Sequence, residues 1–104
     1  ENMSYFSPPE LPENKYYIFG KRGAQYLAND KQVPFLGSIP IVQSVREASD
    51  FGHPVSLQEN SSIVKKFENV TKNLVSQVLL RNKNLPPTKV VEITNLVGCE
   101  AIKS

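Results

Sequence analysis

A chain of 104 residues holds one domain at most, and 39% hydrophobic content suits an ordinary core of modest size. Twelve basic and ten acidic residues are interspersed and leave a net charge of +2. With no basic block and no aromatic–basic interleaving, nucleic acid is excluded as an expected partner. The single cysteine, Cys99, cannot build a disulfide framework and fits a reducing compartment. No stretch approaches the ~20 consecutive apolar residues that span a bilayer. The opening Glu1-Asn2-Met3-Ser4 carries no signal-peptide pattern and no initiator methionine, so the chain reads as a fragment of something longer. Asn60-Ser61-Ser62 and Asn69-Val70-Thr71 match the glycosylation triplet, by chance in a chain with no secretion signal.

Residues 1–6 are expected to be the tail of a strand. Ser7-Pro8-Pro9-Glu10-Leu11-Pro12-Glu13-Asn14 is loop, because three prolines exclude helix and central strand. Tyr16-Tyr17-Ile18-Phe19 is a short strand or an extended apolar patch. Gly20-Lys21-Arg22-Gly23 punctuates it, and a short helix is predicted over 24–30 with Tyr26 and Leu27 buried. Val33, Phe35, Leu36 and Ile39 then crowd a run bounded by prolines, the pattern of a strand buried on both faces. Gly37 allows another backbone to come close, and Pro40 is expected to end ladder pairing because it lacks an N–H.

Residues 41–50 have a helical pattern, closed by Gly52 with Pro54 beyond. A strand running straight into a helix is the join of an α/β unit, whose carboxyl edge is where ligands bind in open α/β sheets. The longest element starts with Ser61 or Asn60 as N-cap. It carries Ile63, Phe67, Val70, Leu74 and Val78 at spacings of three or four, widened by Val64, Val75 and Leu79, which predicts an amphipathic helix of about six turns. Asn84-Leu85-Pro86-Pro87 breaks it, and residues 89–94 are β-branched and read as a final strand. The fold class is therefore α/β, with two or three strands, a long amphipathic helix and a C-terminal strand. So thin a sheet leaves one side uncovered, so residues 1–104 are expected to form a single partial domain.

Self-contained catalysis has little support. Gly20-Lys21-Arg22-Gly23 superficially resembles a phosphate loop but lacks the G-x-x-x-x-G-K-[ST] spacing, and reads as a turn before a helix. His53, the only histidine, excludes a multi-histidine metal site within one chain and reads as a solvated turn residue. Cys99 has no base but His53 to activate it and reads as structural or incidental. Glu47 and Asp50 fall three apart on one helix, as expected of a solvated face.

Glu1-Asn2-Met3-Ser4, Tyr17-Ile18-Phe19-Gly20, Leu27-Ala28, Val33-Pro34-Phe35-Leu36-Gly37-Ser38-Ile39-Pro40 and Ser44-Val45-Arg46-Glu47 through Asp50-Phe51-Gly52-His53-Pro54 occur in one order and spacing. Together they resemble the carboxyl-terminal third of the Mrp/NBP35 (ApbC-like) ATPases. These are MinD/ParA-related P-loop proteins that carry iron–sulfur clusters. The match covers about residues 1–57; the long helix fits by type, and residues from about 82 onward match no motif.

The resemblance implies the C-terminal part of a parallel-sheet P-loop NTPase whose phosphate-binding loop and Mg²⁺-binding and switch residues lie upstream. It implies ATP as cofactor, apo iron–sulfur proteins as partners, a homodimer, no membrane and a cytoplasmic location. It also assigns the adenine side of the nucleotide site: Asn2, matching an asparagine that ends a strand and faces the base, with Pro40, Ile41 and Val42 as the turn that lines it. A side-chain amide can read an adenine edge, and a strand-to-helix turn supplies backbone groups and apolar contact. The family's Cys-x-x-Cys positions, where two thiolates from each of two subunits would hold a bridging cluster, fall here on Pro8 and Leu11. Neither can ligate iron, so no metal residue is assigned. The alternative function is a non-enzymatic interaction or dimerisation module, pairing through residues 16–19 and a face of the long helix.

Overall fold

The structure, a computed structural model, describes residues 1–59 and 61–92. Their order is β1 (Asn2–Phe6), α1 (Gly23–Asp30), β2 (Ile39–Ile41), α2 (Gln43–Asp50), a 3₁₀ turn (Val55–Leu57) and α3 (Ser62–Asn84). The two strands pair in parallel, so the α/β class holds with a two-stranded sheet. Of the final strand predicted over 89–94, residues 89–92 form none, while Ile93 and Thr94 lie outside the described residues, as does Cys99.

The strand predicted over 33–40 is corrected to Ile39–Ile41. Residues 33–38 are irregular, and Val33 is 54% exposed rather than buried between two faces. Three features shorten the strand. Pro34 has no N–H for a ladder, Gly37 has φ +147°, and β1 is the sole neighbour for pairing among the described residues. Pro40 does not terminate pairing; it lies inside β2, between Ile39 and Ile41, which carry the register. In that register Asn2 faces Ile39 and Phe6 faces Ile41, so β1 uses four steps where β2 uses two. The excess is taken up in an irregularity that includes Met3, a non-glycine residue at φ +52°.

Helix α2 starts at Gln43, two residues later than predicted, because Ile41 is in the strand and Val42 is extended (φ −135°, ψ 126°). Its end follows the sequence closely. Gly52 (φ +70°) donates its N–H to Ser49 O at 3.1 Å and His53 donates to Ala48 O at 2.8 Å, the two bonds of a Schellman motif. On α1 the buried residue is Ala28, with Ala24 and Gln25 half-buried, while Tyr26 and Leu27 are exposed, contrary to expectation. Ala28 sits where the chain folds back on the helix, its carbonyl accepting from Val33 N at 2.9 Å.

Ser61 caps α3, its Oγ accepting from Ile63 N at 3.3 Å, and the helix ends at Asn84 before the predicted Leu85-Pro86-Pro87 break. The core is small: Ala48, Val55 and Ile63 are buried, with Ile39, Val42, Val45 and Phe67 packed around them. Thus α2, the 3₁₀ turn and the first half of α3 close over β2. In the second half of the stripe, Leu74, Val75, Val78 and Leu79 are exposed. Where α3 passes residues 33–37 the approach is tight. A Cβ on Gly37 would lie 2.9 Å from Val70 Cγ2, and Asn73 Nδ2 donates to Leu36 O at 2.7 Å.

Candidate functional site

The loop after β1 is built by local hydrogen bonds. Leu11 N donates to Pro8 O and Asn14 N to Leu11 O, both at 3.0 Å, so two tight turns follow one another. The Ser7 hydroxyl lies 2.8 Å from both Pro12 O and Asn14 O, and Phe6 and Tyr16 exchange backbone bonds of 2.8 Å that close the loop. Tyr16 is the only residue of 16–19 that pairs in this way; Ile18 and Phe19 are 61% and 70% exposed, which makes the stretch an apolar patch rather than a strand. Pro8 and Leu11 stand on the first of the two turns. Neither side chain has a donor atom for iron, and no group of three or more His, Cys, Asp or Glu that could hold a metal occurs among the described residues.

Asn2 opens β1 rather than ending a strand, and its Oδ1 accepts from Met3 N at 2.9 Å. It lines an apolar groove of about 660 Å³ with Leu27, Ala28, Phe35, Val45 and Val70. Pro40, Ile41 and Val42 line a different cavity, of about 300 Å³, together with Tyr5, Pro8 and Lys15. The chain therefore gathers Pro40, Ile41 and Val42 beside the loop that carries Pro8, and places Asn2 on a separate surface. Val42 is the extended N-cap of α2 and makes no side-chain cap, so the first-turn N–H groups of that helix are left to backbone, water or ligand.

The remaining polar candidates fall as follows. Glu47 and Asp50 share one cation: Arg46 lies 2.6 Å from Asp50 Oδ2 and 3.7 Å from Glu47 Oε1, on an exposed helix face. His53 is exposed in the Schellman turn. A third cavity, of about 300 Å³, was not anticipated from the sequence; Glu1, Ser4, Tyr17, Lys21, Arg22 and Ser38 are among its walls. Lys21 Nζ sits 5.0 Å from the centre of the Tyr17 ring, Lys15 Nζ 4.8 Å from that of Tyr5, and the two rings are 6.2 Å apart. Lys15 precedes Tyr16 and Tyr17 in the sequence, but only folding brings Tyr5 to Lys15 and Tyr17 to Lys21.

Comparison with known proteins agrees with this architecture. Residues 1–75 match the ParA-type family described as NUBPL iron-transfer P-loop NTPase. An iron-sulfur cluster carrier protein of Pyrococcus horikoshii is 44% identical over 78 residues, covering 75% of this chain and 26% of that protein. The iron-sulfur cluster carrier protein of a Synechocystis strain is 37% identical over 79 residues, 75% of this chain and 22% of its own length. The iron-sulfur cluster transfer protein NUBPL of Dictyostelium discoideum is 36% identical over 85 residues, 81% of this chain and 26% of its own. The chain thus spans about a quarter of the length of the curated relatives it matches. With the family's pattern covering nearly three-quarters of the residues, this chain belongs to the NUBPL iron-transfer P-loop NTPases, the Mrp/NBP35 group of iron–sulfur cluster carriers.

Proposed function

We propose that the chain is the C-terminal part of an ATP-dependent iron–sulfur cluster carrier and supplies the adenine side of its nucleotide site. The observation that carries this reading is the β2–α2 join. Pro40 and Ile41 end a parallel strand, Val42 is extended, and Gln43 opens a helix, so the turn lies at the carboxyl edge where α/β sheets take ligands. In this reading the apolar side chains of the turn pack on the base face, while Asn2, on a separate groove, lies outside that contact. ATP supplies the phosphoryl chemistry in the parent protein, with Mg²⁺; the G-x-x-x-x-G-K-[ST] loop that would grip its phosphates does not occur in this sequence. Iron–sulfur proteins that receive clusters are the partners this function requires. Cluster transfer itself would not use the usual cysteine pair, since Pro8 and Leu11 stand there. The parent works in the cytoplasm in this reading, and no helix among the described residues is long and apolar enough to cross a membrane.

Photolabelling of the parent carrier with an azido-adenine nucleotide tests the assignment. Label is expected within residues 40–42 and not at Asn2, which lines a separate groove. Label mapping exclusively elsewhere removes the assignment.

A second reading, a dimerisation or interaction module, is favoured by exposed Ile18, Phe19 and Leu79, at 61%, 70% and 65%. Sedimentation at graded concentrations, with Phe19→Asp and Leu79→Asp as controls, distinguishes a specific dimer from a monomer.

A further inference from the structure

We propose that the cavity at the amino end of α1 binds a phosphate-class oxyanion, held by Lys21, Arg22, first-turn N–H groups of α1 and the buried hydroxyl of Ser4. The proposal stands apart from the nucleotide reading, because neither Asn2 nor Pro40, Ile41 and Val42 line this cavity. Two independent observations meet there.

The first is charge without a partner. Lys21 and Arg22 both line the cavity, and neither is in an ion pair among the described residues, where the pairs are Lys31–Asp30, Arg46–Glu47 and Arg46–Asp50. Arg22 is the N-cap of α1, held at φ 61°, and its side chain caps nothing. The first-turn N–H groups are therefore directed out of the helix with the positive end of its dipole. One of them, Ala24 N, reaches Glu1 Oε1 at a long 3.3 Å. Glu1 lines the same cavity, so two cations face one carboxylate and a positive charge is left over.

The second is Ser4. It is 7% exposed, the one buried polar residue among those described, and its Oγ has no hydrogen-bond partner. Buried hydroxyls are almost always bonded. A hydroxyl in the wall of a cavity that also presents an ammonium and a guanidinium is completed by an oxyanion, which accepts from all three. The Tyr17 ring holds Lys21 Nζ at 5.0 Å and fixes the ammonium at the cavity wall. The shared chemistry is a phosphate dianion, either free or carried on a phosphorylated side chain.

The test is a titration of the 104-residue chain by ¹H–¹⁵N NMR at constant ionic strength, with inorganic phosphate and phosphoserine as parallel probes. Saturable shifts are expected at Ser4, Lys21, Arg22, Gly23 and Gln25. The Lys21→Gln, Arg22→Gln double variant should raise the Kd at least about tenfold, by loss of two charge-assisted bonds. Glu1→Gln should lower the Kd several-fold, since it removes a competing carboxylate from the helix end; a purely structural role for these residues predicts no gain. Ser4→Ala should raise the Kd if the variant folds, and if it does not, the surface variants decide alone. Tighter saturation by phosphoserine assigns a phosphorylated partner, and equal saturation the free ion. Shifts that grow linearly without saturating, shifts centred on Lys65 and Lys66, or a Kd unmoved by the double variant would overturn the proposal.

Discussion

Gly37 shows how a single position can join two parts of this chain. Its φ of +147° is open to glycine and strained for other residues, and a Cβ there would lie 2.9 Å from Val70 Cγ2. Gly37→Ala should therefore destabilise the chain by about 1–3 kcal/mol through overpacking and backbone strain together. Adding Val70→Ala should return the steric share and leave the backbone share, so a double-mutant cycle read by urea denaturation separates them. If the double variant were no more stable than the sum of its single changes, the clash would not be the cause. Asn73→Ala is a milder change at the same seam. It loses an exposed 2.7 Å bond to Leu36 O and should cost about 0.5–1.5 kcal/mol. The need for glycine at 37 was legible as a close backbone approach. That the approaching group is a side chain of α3, more than thirty positions away, was not.

At the scale of elements, helix ends were the most legible features because their causes are local. Gly52 with Pro54 predicted the end of α2, and Ser61 or Asn60 the start of α3, where Ser61 is the cap; capping needs only a few consecutive residues. Ser61→Ala should cost about 0.5–2 kcal/mol and reduce helicity in the first turn of α3, seen as faster amide exchange at Ile63 and Val64. On α2 the exposed Arg46–Asp50 pair, at 2.6 Å, predicts the reverse: Arg46→Ala should change stability by less than about 0.5 kcal/mol, because ion pairs in water are weak. Strand boundaries were less legible. The apolar run 33–39 has strand composition, but a strand exists only where a neighbour offers a ladder, and here β1 offers it over Ile39–Ile41. Likewise Tyr26 and Leu27 looked like core residues by size, whereas Ala28 is buried, where Val33 N turns back onto its carbonyl.

The whole molecule carries more apolar surface than its core absorbs. Among the described residues no large side chain is fully buried, and Ile63, at 3% exposure, is the most buried. Ile63→Ala should accordingly cost about 2–5 kcal/mol and threaten the entire α2–turn–α3 core, since a chain this small has few other buried groups. The exposed face formed by Leu74, Val75, Val78 and Leu79 predicts binding of a hydrophobic dye by the native 104-residue chain; absence of that signal would mean the face is covered in solution. The same chain should show no ATP turnover in a phosphate-release assay, because it has no P-loop sequence. Measurable turnover by the pure chain would refute that.

The family membership, the α/β class, the helix caps and the presence of Pro8 and Leu11 in the loop after β1 were determined by the sequence alone. Each depends on residue identity at fixed spacing, and spacing survives without a structure. Tertiary structure decided where β2 begins, which face of α1 is buried, that Asn2 and the turn of Pro40, Ile41 and Val42 line different cavities, and that Ser4 meets Lys21 and Arg22 around one space. Those outcomes depend on pairing partners and packing between segments distant in the chain. No local pattern of residues encodes which of those segments will meet.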